Sequence, residues 1–222
     1  MLRQAVSFLV SIGRSIRPTL DNGGMSVILI GGTPGTGKTE VAKILGERLE
    51  LQVISLGELA EDAGCISSHD DERDTSVVDE DCLVSAIEGK IREVDKEAIV
   101  EGHYIDLVPY SVVSHVFVLR THPEVLQHRL MRRGWTIEKV RENVEAEVLG
   151  VCQLDAHESF GDDEVTDIDT TELSLSEVAD ILQRAIGGNT KATHIDWMTQ
   201  LEEEGRLADF VQLDGMDEDL DI

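Results

Sequence analysis

From Ser26 onward, short β-branched runs alternate with stretches in which apolar residues recur every three to four positions, the pattern of a doubly wound α/β sheet. SVILI (26–30) reads as a buried strand and KTEVAKILGERLE (38–50) as the first helix, with Val41, Ile44, Leu45 and Leu49 on one face. QVISL (52–56) is the second strand and GELAEDAG (57–64) a short helix. An acidic, irregular stretch, SSHDDERDTSVVDED (67–81), then precedes a helix over DCLVSAIEGKIREV (81–94). EAIVEG (97–102) and HVFVLR (115–120) are the third and fourth strands. After PEVLQHRLMRRGW (123–135), a long helix is expected from Thr136 towards His157, then a fifth strand, EVTDID (164–169). A last core helix opens at Ser174, where Glu177 three positions on completes a capping box. Five strands in this order make a complete three-layer α/β/α domain with a five-stranded parallel sheet. In the tail, IDWMTQLEEEGRLADFVQL (195–213) has the spacing of a helix with Ile195, Trp197, Met198 and Leu201 on its apolar side. DGMDEDLDI (214–222) has too few apolar groups to hold a structure and is expected to be disordered.

The first 24 residues do not fit this alternation. Arg3 precedes a short apolar run, but Gly13 and Arg14 interrupt it and no small-residue cleavage site follows, so export is not expected. The segment reads as a poorly ordered leader, as translation begun upstream of a true start at Met25, or as a short amphipathic arm that docks a partner. The division expected is therefore 1–24 leader, 25–190 α/β domain and 191–222 acidic extension.

At 222 residues the chain suits one compact domain. Its charge is unusual: 45 acidic against 19 basic residues give a net charge of −26, and Lys38, Lys43, Lys90, Lys96, Lys139 and Lys191 are the only lysines. Such self-repulsion is relieved in multimolar salt, where the screening length falls to about 3 Å, as in a halophile's cytoplasm. The same surface repels nucleic-acid phosphates and favours a basic protein as macromolecular partner, so direct DNA binding is not expected. No apolar run reaches membrane-spanning length. Cys65, Cys82 and Cys152 are widely spaced and odd in number, and read as reduced thiols of a cytoplasmic protein. The seven histidines form no HxxxH or Cys/His pattern, so no structural zinc is expected.

Candidate chemistry begins where the first strand ends. GTPGTGKT (32–39) satisfies GxxxxGK[ST] at every fixed position, between a strand and a helix, which is the arrangement that turns backbone N–H groups onto nucleotide phosphates. Lys38 should reach the β- and γ-phosphates of ATP, and the Thr39 hydroxyl should ligate Mg²⁺. Glu101 ends the third strand in the position of an acid that holds a magnesium water. His103, two residues on, either orients that water, contacts a phosphate or is a structural loop histidine; Asp106 is a weaker candidate. Arg129, Arg132, Arg133 and Arg141 bracket Gly134 and Trp135, as a mobile clamp for phosphoryl oxygens or as surface partners of Glu138, Glu142 and Glu145. Arg133 is the best single candidate. The acidic stretch lacks the spacing of a calcium loop and reads as a solvated face in which Arg73 is a plausible acceptor contact.

With these pieces in place the sequence resembles the adenylate kinase 6 family, the CINAP-like small nucleoside monophosphate kinases. The resemblance rests on GTPGTGKTE, DDERDTSVVDED, VEGHYIDLVP and LRTHPEVLQHRLMRRGWTIEKVRENVEAE, and runs from about Val27 to Ile186. It implies a P-loop fold with a nucleoside-monophosphate-binding insert, about 55–80, and a short lid, about 132–142. It implies an ATP site of Gly35, Gly37, Lys38, Thr39 and Glu40, with Arg133 as the lid arginine, and Glu101 and His103 as the acid and histidine beside the magnesium. Glu40 departs from the hydroxyl residue common in relatives, at a position that offers mainly its backbone N–H. The implied reaction is ATP plus AMP giving two ADP in a cytoplasmic monomer. The resemblance also implies a link to small-ribosomal-subunit maturation, through ATPase activity and a basic ribosomal protein. A kinase for a small metabolite such as shikimate or gluconate fits the same sheet, but the matches outside the P-loop count against it.

Overall fold

The computed structural model describes residues 25–70, 75–188 and 193–211. The proposed leader (1–24), Arg73 and the acidic residues 212–222 lie outside them.

Five parallel strands, β1 (Ser26–Gly31), β2 (Gln52–Ser55), β5 (Glu97–Glu101), β6 (Val113–Arg120) and β7 (Val165–Asp169), form one sheet in the order β2-β5-β1-β6-β7. Period-two alternation decides which side chain enters which layer. Val27 and Leu29 face the layer of α2 (Leu56–Asp62), α3 (Glu80–Arg92) and α6 (Val151–Phe160), against Leu56, Leu83, Ile87 and Ala156. Ile28 and Ile30 face α1 (Lys38–Leu49) and α7 (Leu175–Ile186), against Val41, Leu45, Val178 and Leu182. Because both faces are covered, β1 is buried along its whole length and reads as a continuous apolar run. Parallel order also puts every strand's C-terminal end on one edge, with the β1–α1 turn at its centre.

A third, smaller core sits beyond that edge. Leu126 and Leu130 of α4 (Pro123–Arg132) pack on Val140 and Val144 of α5 (Ile137–Leu149), with Trp135 and Phe210 against them. The sequence pattern favours one helix from Thr136 to His157; the structure divides it. Gly150, at φ 68°, caps α5 and starts α6, so the chain turns before Val151. A Cβ there would stand 2.7 Å from Gln153 Oε1, so the break depends on glycine both for its backbone conformation and for space. The capping box at Ser174 and Glu177 is present as expected.

Two further expectations need correction. The acidic stretch is not wholly irregular: β3 (Ile66–Asp70) and β4 (Thr75–Val78) pair as an antiparallel hairpin apart from the main sheet. That hairpin returns the chain on itself, so Asp79 N donates to Cys65 O (2.8 Å), and Cys65 and Cys82 are joined in a disulfide across 17 residues. The reading of all three cysteines as reduced therefore fails for two of them; Cys152 is the free one. Their separation in sequence hid a pairing that strand return creates.

In the tail, α8 (Trp197–Glu203) forms, with Trp197 and Leu201 buried, but Ile195 precedes the helix and Met198 is exposed. Asp196 caps it by accepting from Thr199 N (2.9 Å). The segment before it runs beside β7, where Asp167 N donates to Thr193 O (3.1 Å). Residues 193–211 are thus packed onto the domain. Among the described residues, no helix is long and apolar enough to cross a membrane.

Candidate functional site

The turn after β1 has the form its sequence predicts. Gly32 takes φ 135°, and a Cβ on it would lie 2.4 Å from Leu119 O of β6, so the chain leaves the sheet only because no side chain is present. Thr36 Oγ1 closes the loop on Thr33 O (2.8 Å), and Lys38 Nζ reaches back to the same carbonyl (3.2 Å). Lys38 is 7% exposed at the N-terminus of α1. Burial lowers its pKa, against the raising influence of Cys152, Glu101 and Glu147.

Glu101 stands level with Ile30 and Ser55 in the register of neighbouring strands, and its Oε2 accepts from Thr39 Oγ1 (3.2 Å). A hydroxyl and a carboxylate at this spacing are hard oxygen donors suited to a magnesium ion that keeps several waters. His103 lies just beyond, with Nδ1 3.3 Å from Gly32 O. The residue is exposed on one side and crowded by protein on the other, and this loss of solvation, reinforced by Lys38, lowers its pKa to about 4. A neutral imidazole therefore sits beside the ammonium at pH 7.

Opposite Gly35, Gly37 and Glu40, a cleft of about 320 Å³ is closed by Arg129, Arg133, Thr170 and the start of α7. Arg129 is fixed there: its Nη2 donates to Thr170 O (2.8 Å) and Nη1 to Thr121 Oγ1 (3.3 Å). Burial lowers its pKa, as does the second guanidinium of Arg133. Arg133 is exposed at the C-terminus of α4. Of the four arginines singled out in the sequence, Arg129 and Arg133 line this cleft. Arg132 lines a different recess of about 560 Å³ made of α4 residues alone, which holds none of the P-loop, and Arg141 is exposed on α5. Two arginines and the P-loop glycines thus line a space of nucleotide scale.

The residue that sequence reasoning missed is Glu147. It is 1% exposed beneath the P-loop, accepting from Thr33 Oγ1 (2.5 Å), Thr121 N (2.8 Å), Arg120 Nε (2.9 Å) and Trp197 Nε1 (3.3 Å). Arg120, the last residue of β6, is equally buried; its Nη2 also donates to Glu147 O (2.6 Å) and its Nη1 to Gln153 Oε1. One signal was available: Glu147 falls on the buried stripe of α5 with Val140, Val144 and Val148, where a carboxylate persists only if paired. Cys152, near Thr33 and Lys38, is held as a thiol: burial raises its pKa to about 11, with Lys38 opposing. It is not poised as a nucleophile.

Comparison with known proteins agrees with this geometry. Residues 28–150 match the family model described as an AAA domain. The chain is 40% identical over 192 residues to the "Putative adenylate kinase" of Archaeoglobus fulgidus, covering 84% of this chain and 98% of that protein. It is 44% identical over 163 residues to the protein of the same name from Methanothermobacter thermautotrophicus, covering 73% and 91%. Among solved structures, shikimate kinase from Acinetobacter baumannii superposes with a TM-score of 0.52 at 16% identity, over 75% of this chain and 96% of that one, a likeness of fold alone. A P-loop strand order, a lysine and acid at its centre and relatives at this identity lead to one conclusion: the chain is a P-loop kinase and belongs to the adenylate kinase 6 (CINAP-like) family found across the archaea.

Proposed function

We propose that this kinase transfers the γ-phosphoryl group of ATP to AMP, yielding two ADP. The observation that supports it most is the opposition of the P-loop residues Gly35, Thr36, Gly37 and Glu40 on one side of the cleft to Arg129 and Arg133 on the other, with Lys38 in the same loop and Thr39 hydrogen-bonded to Glu101. Phosphoryl transfer asks the protein for positioning and charge neutralisation more than for a nucleophile. Backbone amides of Gly35 and Gly37 and the Lys38 ammonium would hold the polyphosphate, and Arg133 would meet its oxygens as the 132–142 segment closes as a lid. Thr39 and Glu101 would hold Mg²⁺, which neutralises phosphate charge. Neutral His103 would accept or donate one hydrogen bond at the phosphate edge, and Glu40 would contribute its backbone N–H. AMP would enter from the side of the 55–80 segment.

The cytoplasm, which supplies both nucleotides, is the location that fits this reaction, and a monomer is sufficient for it. The net charge of −26 suits a salt-rich cytoplasm and, in small-subunit maturation, a basic ribosomal protein as partner. An ATP-hydrolysing assembly role uses the same residues with water in the acceptor space.

The test is product analysis in concentrated KCl. We expect ADP to form from ATP only when AMP is added, without inorganic phosphate, and Lys38→Ala or Arg133→Ala to lower that rate about 100-fold or more. Full turnover in both variants would remove the active-site assignment. ADP and phosphate from ATP alone, at a rate indifferent to AMP, would replace the kinase with an ATPase.

A further inference from the structure

Three chemistry-bearing side chains meet on the far side of the Arg120 and Glu147 network. His157 comes from α6, Asp167 from β7 and His194 from the segment that leads into α8, and each presents a ligand atom within 4.8 Å of the others. The Asp167 side chain is fully buried. Its Oδ2 accepts from Ile195 N (2.8 Å) and Gln153 Nε2, but Oδ1 is buried with no hydrogen-bond partner. Neither ring nitrogen of His157 has a hydrogen-bond partner either. Exposed Asp162 stands 3.2 Å from its Nδ1 without hydrogen-bond alignment. Unpaired buried polar atoms are costly, so Asp167 Oδ1 and a ring nitrogen of His157, on side chains that cluster with His194, call for a ligand. Charge calls for the same: Arg120, whose guanidinium acts on Asp167, is already paired with Glu147, which leaves the Asp167 carboxylate only partly balanced.

We propose that His157, Asp167 and His194 bind one divalent transition-metal cation of the zinc class, fastening residues 193–211 to the sheet. Two imidazoles and a carboxylate suit Zn²⁺, Co²⁺ or Ni²⁺, whereas Mg²⁺ prefers oxygen donors throughout. Tetrahedral ligands at roughly 2.0–2.2 Å from zinc stand about 3.4 Å apart, so the cluster must tighten by about an ångström. His194 is the ligand free to move: its ring is 59% exposed, with Nδ1 3.8 Å from Asp167 Oδ2 and 3.0 Å from Gln153 Nε2. Its exposure leaves the remaining coordination position to water. The ring of His157 already lies edge-on to that of His194, with centroids 5.5 Å apart. No local spacing announces this site, because its ligands are separated by a strand and by the domain's edge.

The experiment uses the full chain, stripped with chelator, with the Cys65–Cys82 disulfide intact and the nucleotide site filled with MgATP. Zn²⁺ titrated calorimetrically should bind at one ion per chain, raise the thermal midpoint and slow proteolysis within 193–211. Co²⁺ should give visible absorption bands of a low-coordinate site. His194→Ala, which removes an exposed ring, and His157→Gln should each weaken Zn²⁺ at least about 10-fold. Absence of stoichiometric Zn²⁺ binding would overturn the proposal. Undiminished binding in His194→Ala would do so too, as would binding lost in Cys152→Ser but kept in the histidine variants.

Discussion

Glu147→Ala is the substitution on which the architecture of the P-loop can be judged. The wild-type carboxylate is 1% exposed and receives a guanidinium N–H, a backbone N–H, a hydroxyl and an indole N–H. Truncation leaves Arg120, whose side chain is 2% exposed, with carbonyl and amide oxygens but without its directly paired carboxylate, Asp167 acting on it only without a direct ion pair. Removing one partner of a buried pair costs about 3–5 kcal/mol. At about 2–4 °C per kcal/mol for a chain of this size, the thermal midpoint should drop on the order of 10 °C. Urea unfolding followed by circular dichroism would measure the loss, and fluorescence of Trp197 would report the broken indole contact. Arg120→Met/Glu147→Leu, which removes both charges and keeps volume, should recover most of the stability that either single change loses. A Glu147→Ala variant within about 1 kcal/mol of wild type, or a double variant no better than the worse single one, would refute the reasoning.

Two other predictions follow from local features. The His103 pKa of about 4 lies below its ordinary 6.5, so between these values the unfolded chain binds a proton that the folded chain refuses. This contribution to stability is complete above pH 6.5 and is lost as pH falls through the window; His103→Gln should flatten the fall, and equal slopes in both proteins would contradict it. Gly150→Ala should cost about 1–3 kcal/mol in urea unfolding, because φ 68° strains any side chain and the new Cβ meets Gln153 Oε1. A change below about 0.5 kcal/mol would mean that the α5–α6 break does not depend on glycine.

Sequence alone determined the features whose cause is local. Alternation of β-branched runs with helical periodicity gave five strands of one parallel sheet, since each strand had to bury both faces and each helix one stripe. The P-loop was legible because its glycines, lysine and hydroxyl act within eight consecutive residues, and Glu101 because it ends a strand whose register follows from the sheet. Tertiary structure decided what depends on residues far apart in the chain. Glu147 lies 114 residues from Thr33, and no periodicity says which buried carboxylate supports which turn. The same holds for the disulfide made by hairpin return, for which of the four arginines line the cleft, and for the meeting of His157, Asp167 and His194. Periodicity reports which face of an element is apolar; only packing fixes which neighbour that face meets, and a pair of charges acquires its strength from the burial that packing creates.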